Sequence, residues 1–292
     1  MKKFAIYDSP VKPEAVNCAE KAIIKLHSAG AELCCRPQLA ERLPNEIRNY
    51  LKIYQPEEFE KFADAVISFG GDGTMLFIAR IMLKTDIPIM GFNVGKLGFL
   101  AEFSVKELDK TIDDLMKGNY RVVDRTVLET SFQGETLYAL NDFVIEKRHT
   151  SRMITIDCYT NKHYIGTFRS DGLIITTPTG STAYSLSCGG PIIAPSTEVV
   201  CITPISPHSL TLRPLIIPSS NEISVRVHSF SGESHLVTDG NQNRILSNDK
   251  EIFIRRSEAR VKLIKPLNST YYDLLRTKLL WATNADDNVL KQ

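Results

Sequence analysis

The period of the apolar residues changes once along this chain, near Tyr120, and that change constrains the fold more than any other feature. Before it, short apolar runs alternate with segments of helical period. Phe4–Tyr7 is a short apolar strand, and Val11–Ala29 reads as a helix with Val16, Ala19, Ile23 and Leu26 on one face and Gly30 as its stop. Ala31–Cys35 is a candidate second strand. Pro37, Pro44 and Pro56 interrupt the stretch that follows, which leaves room for short helices only. Ala65–Phe69 is a continuous apolar strand, Gly70-Gly71-Asp72-Gly73 follows at once, and Thr74–Leu83 reads as a helix. Ile87–Phe92 is another buried strand, and Lys106–Met116 a helix that ends at Gly118. Strands alternating with helices predict a mostly parallel sheet with helices on its faces.

Beyond Tyr120 helical periodicity is scarce. Arg121–Leu128, Thr136–Ile145, Ile154–Thr160, His163–Phe168, Leu173–Thr177, Val199–Thr203, Leu215–Pro218, Ile223–His228, His235–Thr238 and Ile252–Arg255 read as short strands parted by turn residues. That texture predicts an antiparallel, sandwich-like domain. Tyr271–Trp281 reads as an amphipathic segment. The expected organisation is an α/β domain over residues 1–120, a β-rich domain over 121–265, and a tail over 266–292 that packs back on the first domain.

Charge and cysteine usage narrow the function. Thirty-five basic and 34 acidic residues leave a net charge of +1, without the basic excess of a nucleic-acid binder. The six cysteines form no C-x-x-C pair and no cluster of zinc spacing, so six reduced, mostly buried thiols in a cytoplasmic protein are expected. The first apolar stretch breaks at Asp8, too early for a signal peptide, and no run reaches membrane-spanning length.

Three places carry candidate chemistry. Gly70-Gly71-Asp72-Gly73-Thr74 joins a buried strand to a helix, where glycine backbone and a helix N-terminus favour a phosphate. A carboxylate there repels an anion unless it serves as a proton acceptor or faces a metal, although a plain tight turn accounts for the pattern equally well. Arg169-Ser170-Asp171-Gly172 leads through Thr176-Thr177-Pro178-Thr179-Gly180-Ser181-Thr182-Ala183-Tyr184-Ser185 to Gly189-Gly190-Pro191, a loop dense in hydroxyls. Ser181 and Thr182 can cap or donate to an anion, and Tyr184 can stack on a ligand ring. Asn141-Asp142 interrupts an apolar strand, so the pair needs partners, from a ligand or within the chain. The P-loop, G-x-G-x-x-G, H-E-x-x-H, G-x-S-x-G and H-R-D motifs are absent.

In order and combination these segments resemble the bacterial NAD kinase family. The likeness extends through Gly91-Phe92-Asn93-Val94-Gly95-Lys96-Leu97-Gly98-Phe99-Leu100, Ser206-Pro207-His208-Ser209-Leu210, Arg213-Pro214-Leu215 and Thr277-Lys278-Leu279-Leu280-Trp281. The resemblance implies an α/β domain and a β-rich domain with the active site in the cleft between them. It implies ATP as phosphoryl donor, NAD+ as acceptor, a divalent metal (usually Mg2+) with no protein ligand assigned to it, and a homodimer or homotetramer. Nucleic acid and membrane are not among the implied partners. Carried over by position, Asp72 is the proton acceptor, and Gly70, Gly71, Gly73 and Thr74 form the phosphate loop. Asn141 and Asp142 hold the adenosine, and Thr182, Ala183, Tyr184, Ser185, Leu186 and Ser187 line the adenine and nicotinamide regions. Arg152, Arg169 and Asp171 touch the dinucleotide or a neighbouring subunit's site, Arg169 being the arginine of members that prefer NAD to NADH. Asn241 or its neighbour Gln242 makes a late contact. Lipid kinases share the glycine loop, but the Thr179–Ser185 segment argues against that reading. A non-enzymatic nucleotide sensor is disfavoured by the intact Asp72.

Overall fold

The computed structural model describes residues 1–148 and 151–282. It divides into two units, residues 1–124 with 262–292 and residues 125–261.

The first unit begins with β1 (Lys3–Asp8), α1 (Glu14–Ser28), β2 (Glu32–Cys35), the single turns α2 (Pro37–Ala40) and α3 (Asn45–Arg48), and β3 (Leu51–Ile53). It continues with β4 (Ala65–Gly70), α4 (Asp72–Ile81), β5 (Ile89–Asn93), the two-residue β6 (Phe103–Ser104) and α5 (Leu108–Lys117). The strands pair in parallel in the order β3-β2-β1-β4-β5. Every residue of β4 and β5 is buried, as expected of central parallel strands covered on both faces. Helix α1 packs Ala15, Val16, Ala19, Ala22, Ile23 and Leu26 into the core with Phe4, Ile6, Ile67, Phe69 and Phe92. The register sets the carboxyl ends of three strands level, Asp8 beside Phe69 and Gly70 beside Asn93. This is the edge at which parallel sheets bind ligands.

The second unit holds most of β7 (Tyr120–Phe132), then β8 (Glu135–Ala139), β9 (Asp142–Lys147), β10 (Ile154–Thr160), β11 (His163–Ser170), β12 (Gly172–Thr176) and the turn α6 (Tyr184–Ser187). It ends with β13 (Val199–Ile205), β14 (Leu215–Pro218), β15 (Ile223–His228), β16 (Glu233–Thr238), β17 (Gln242–Ser247) and the start of β18 (Glu251–Pro266). One antiparallel sheet runs β14-β13-β12-β9-β16-β17; the other pairs β11-β10-β15-β18, and β7 joins β18 to β8. Alternate residues such as Ile154, Ile156 and Cys158 of β10 point inward and meet Phe143, Ile145, Leu173, Ile175 and Leu236 of the facing sheet. This is sandwich packing. The chain then re-enters the first unit, where Leu263 and Ile264 of β18 pair in parallel with Ile89 and Met90. The last described helix, α7 (Tyr271–Leu279), is capped by Thr270, whose hydroxyl accepts from Asp273 N–H while the Asp273 carboxylate accepts from Thr270 N–H.

The structure corrects four expectations. The run Thr136–Ile145 is two strands, because Leu140 and Asn141 turn their N–H groups onto the Asp239 carboxylate instead of a neighbouring strand. Helix α4 starts at Asp72 rather than Thr74, so two of the loop's expected residues are the first of the helix. The last strand is sixteen residues long, and the polar edge strand β17 was not foreseen. All six cysteines are free; Cys34, Cys35, Cys158 and Cys201 are buried, and burial pushes the first three thiols up to about 12. No helix among the described residues is long and apolar enough to cross a membrane.

Candidate functional site

At the start of α4 the chain leaves β4 through Gly70 and Gly71. A Cβ on Gly70 would lie 2.3 Å from Thr74 Oγ1, so glycine lets the first helical turn fold back on the strand end. Thr74 and Met75 donate their N–H groups to Gly71 O. The N–H groups of Asp72 and Gly73 have no acceptor in the helix they start, and the helix dipole adds positive potential there. Asp72 does not point idly into solvent. Its Oδ1 accepts from Leu100 N–H (3.0 Å) and Ala101 N–H (3.1 Å), and its Oδ2 from Phe99 N–H (2.8 Å) and Lys278 Nζ of α7 (3.4 Å). A Cβ on Gly98 would lie 1.9 Å from Asp72 Oδ1, so the approach of this turn to the carboxylate requires glycine. The same turn is held from its carbonyl side by Lys265 Nζ, which donates to Leu100 O at 3.1 Å and pairs with Glu102. Asp72 is thus fixed by backbone while its side chain stays 32% exposed.

Gly73 is different. A Cβ there would meet nothing within 4 Å, and its backbone is ordinary helix, so the fold alone does not ask for glycine. Alanine at 73 should stabilise the chain by up to about 1 kcal/mol through helix propensity. If the free N–H groups of this turn take a ligand, the methyl obstructs it, and turnover should fall by roughly 10-fold or more. Thermal melts and steady-state rates on Gly73→Ala check both signs; an unchanged rate would remove Gly73 from the site.

The second unit carries a pocket of about 450 Å³ lined by Asn141, Asp142, Glu146, Tyr184, Asp239 and Asn243, with Val144, Ala183, Val237 and Gly240. Its floor is set by Asp239, a residue with φ +47° that collects the N–H groups of Leu140, Asn141 and Asp142 at 3.0, 2.7 and 3.2 Å. Asp142 is only 4% exposed. Burial, then the nearby Asp239 charge, push its carboxyl up to about 7. A buried carboxyl against a second carboxylate is costly without a ligand, and it is well placed to accept from hydroxyls entering the pocket. Tyr184 is 42% exposed at the pocket wall, and burial of its hydroxyl end raises its pKa.

The hydroxyl-rich loop uses most of its hydroxyls within the fold, partly on the neighbouring Leu140-Asn141 turn. Thr176 Oγ1 and Thr177 N–H donate to Asn141 O, Thr177 Oγ1 to Leu140 O, and Ser181 Oγ to Pro178 O. Thr182 Oγ1 donates to Thr179 O at 3.4 Å, and the buried Ser185 shares a 2.8 Å hydrogen bond with Thr203. A Cβ on Gly180 would collide with Asn141 O at 2.4 Å, so this loop buttresses the Asn141-Asp142 turn closely. Of its candidate residues, Ala183 and Tyr184 line the pocket; Leu186 is half-buried and Ser187 exposed.

The remaining candidates do not line that pocket. Arg169 is exposed on the edge strand β11, and its carbonyl accepts from His208 N–H. Arg152 lies over the Phe230 ring, 3.9 Å from its centre. Asp171 pairs with Lys147 at 2.6 Å. Asn241 turns its amide onto Asp239 O, and Gln242 opens β17; Asn243, two residues beyond Asn241, reaches the pocket. Lys12, Lys265 and Lys278 were missed by sequence reasoning, since their partners stand far away in the chain. The one signal for Lys278 was its place in the Thr277–Trp281 segment.

Two family models match the chain. Residues 4–120 match the ATP-NAD kinase N-terminal domain family, and residues 140–266 the ATP-NAD kinase C-terminal domain family. A NAD kinase of Bacteroides fragilis is 38% identical over 97% of this chain and 99% of its own length. One from Chlorobium phaeobacteroides shows the same identity and coverage. Among solved structures, a yeast NADH kinase complexed with NADH superposes with a TM-score of 0.86 at 26% identity, over 97% of this chain and 89% of its own. An NAD kinase from Archaeoglobus fulgidus in complex with ATP gives a TM-score of 0.76 at 25% identity, over 95% and 98%.

Proposed function

The chain belongs to the ATP-NAD kinase family, and from that premise we propose its reaction: ATP gives its γ-phosphoryl group to the 2′-hydroxyl of the adenosine ribose of NAD+, yielding NADP+ and ADP. The observation that carries the residue assignment is Asp72, a carboxylate fixed by three backbone N–H groups at the first turn of α4 beside glycines 71 and 73. In this reading the unpaired N–H groups of that turn take phosphate oxygens, and Asp72 accepts the 2′-hydroxyl proton as the oxygen attacks phosphorus. Asn141 and Asp142 receive the ribose and adenine edge, and Tyr184 offers its ring to the base. Arg152, Arg169 and Asp171 contribute through the dinucleotide or a second copy of the chain, as a homodimer or homotetramer in the cytoplasm. A divalent cation, Mg2+ in this reading, enters on the ATP phosphates as part of the substrate and neutralises their charge. Among the described residues no group of three or more His, Cys, Asp or Glu is placed to hold an ion alone.

The test is an end-point assay with NAD, ATP and Mg2+, reading NADP with an NADP-specific dehydrogenase. NADP from the folded wild-type protein is the expected result; none, across metals and donors, sinks the assignment.

Asp142 gives a pH-dependent prediction. Its pKa is raised from 3.8 to about 7, so between those values the folded state holds more protons than the unfolded one. Stability from this group is therefore present at low pH and lost as pH rises through about 7, by up to roughly 4 kcal/mol. Asp142→Asn removes that loss. The variant should gain on wild type by roughly 2–4 kcal/mol between pH 4 and pH 8 in urea titrations, and should bind NAD about tenfold or more weakly. A stability difference that does not change with pH would contradict it.

A further inference from the structure

The connection from β1 to α1 places Lys12 over the glycine loop. Its Nζ donates a hydrogen bond to Val94 O. The same nitrogen lies 3.5 Å from where a Cβ of Gly71 would stand and 3.4 Å from that of Gly95. A Cβ at either position would reach the ammonium at ordinary contact distance, and glycine at both leaves that seat open. Gly95 has φ +110°, which only glycine adopts readily, so the seat is built from backbone on two sides. Among the described residues no carboxylate stands within 4.0 Å of Lys12 Nζ, whereas Lys25, Lys61, Lys147 and Lys265 all have one.

Electrostatics makes this arrangement informative. Gly71 is the residue before the first turn of α4, the positive end of that helix. A lysine ammonium beside a helix N-terminus is repelled by it, and the free N–H groups of Asp72 and Gly73 face the same need for an acceptor. Both features call for the same kind of ligand, an anion. The same connection carries Ser9, 1% exposed, whose hydroxyl has no hydrogen-bond partner.

We propose that Lys12 binds the phosphate chain of the donor nucleotide. The proposal rests on the phosphoryl-transfer reading given above. As the ribose 2′-oxygen forms its bond to the γ-phosphorus, the bond from that phosphorus to the β,γ-bridging oxygen breaks. The proton goes to Asp72, and the electron pair stays on the departing ADP. The Lys12 ammonium supplies positive charge to the phosphates as that charge builds, which a neutral side chain of the same length cannot do.

The test uses the full chain as wild type, Lys12→Met and Lys12→Arg. Lys12→Met should lower kcat/KM for ATP by roughly 10²-fold, Lys12→Arg should recover part of that loss, and NAD affinity without ATP should stay within about twofold. Lys12→Met with kcat/KM for ATP within about threefold of wild type overturns the proposal. Calorimetry with tripolyphosphate is read in parallel, and it separates this inference from the reaction it rests on. If wild type makes no NADP, the kinase reading fails, and equal tripolyphosphate binding by wild type and Lys12→Met then ends the Lys12 claim as well. Should Lys12→Met not fold, acylation of wild-type lysines read by mass spectrometry decides. MgATP protecting Lys12 supports the contact, and unprotected Lys12 refutes it.

Discussion

Asp72→Asn should lower the rate of NADP formation by roughly 10²–10⁴-fold while NAD still binds. A carboxylate offers about four lone-pair positions, and in this structure four donors meet them: the N–H groups of Phe99, Leu100 and Ala101, and Lys278 Nζ. The longest of these, from Lys278 at 3.4 Å, is the one a substrate hydroxyl displaces most easily. Asparagine has one oxygen in place of two and turns an NH2 group toward backbone N–H donors. The variant therefore loses the proton acceptor and also leaves part of the Gly98–Ala101 turn unsatisfied, at a cost of about 1–3 kcal/mol. Turnover, NAD binding by calorimetry and a thermal melt, measured together, separate the two effects. A melt that falls with turnover kept within about threefold would make Asp72 an anchor of the turn and nothing more.

The largest expected effect on stability is at Lys265. Its side chain is 1% exposed and pairs with Glu102, itself 6% exposed, while also donating to Leu100 O. Lys265→Met should cost about 3–5 kcal/mol in urea unfolding, because it leaves the Glu102 carboxylate buried without its cation. Adding Glu102→Gln should restore part of that loss, since the double variant has no uncompensated charge. The double variant should still turn over poorly, because the carbonyls of the turn that seats Asp72 no longer have their donor. Equal stability of wild type and Lys265→Met would show that the pair contributes nothing to the fold.

The sequence carried the core strands of both units well, because Ala65–Phe69 and Ile154–Thr160 have the continuous or alternating apolar pattern that burial imposes. It carried the glycine loop and Asn141-Asp142 as oddities, polar or flexible residues where an apolar one was due. It failed where the determining contact is distant. The break at Leu140-Asn141 is made by Asp239, almost a hundred positions away in the chain, and local pattern reads straight through it. The inward half of β18 looks polar because Lys265 lies in it, and a lysine is read as solvated unless its buried partner is known. The hydroxyls of Ser181 and Thr182 read as donors to an anion, but three-dimensional packing turns them onto the loop's own carbonyls, Pro178 O and Thr179 O.

The path of β18 also orders events during synthesis. Residues 125–261 form one continuous stretch, whereas the first unit needs both residues 1–124 and residues from 262 onward. The sandwich can therefore complete itself on the ribosome while the parallel sheet still lacks Leu263 and Ile264 beside β5, and while Lys265 and Lys278 have yet to reach the Asp72 turn. The pocket lined by Asn141, Asp142 and Tyr184 is thus finished before the turn that seats Asp72. A nascent or prematurely halted chain has that pocket before it has a seated Asp72 carboxylate.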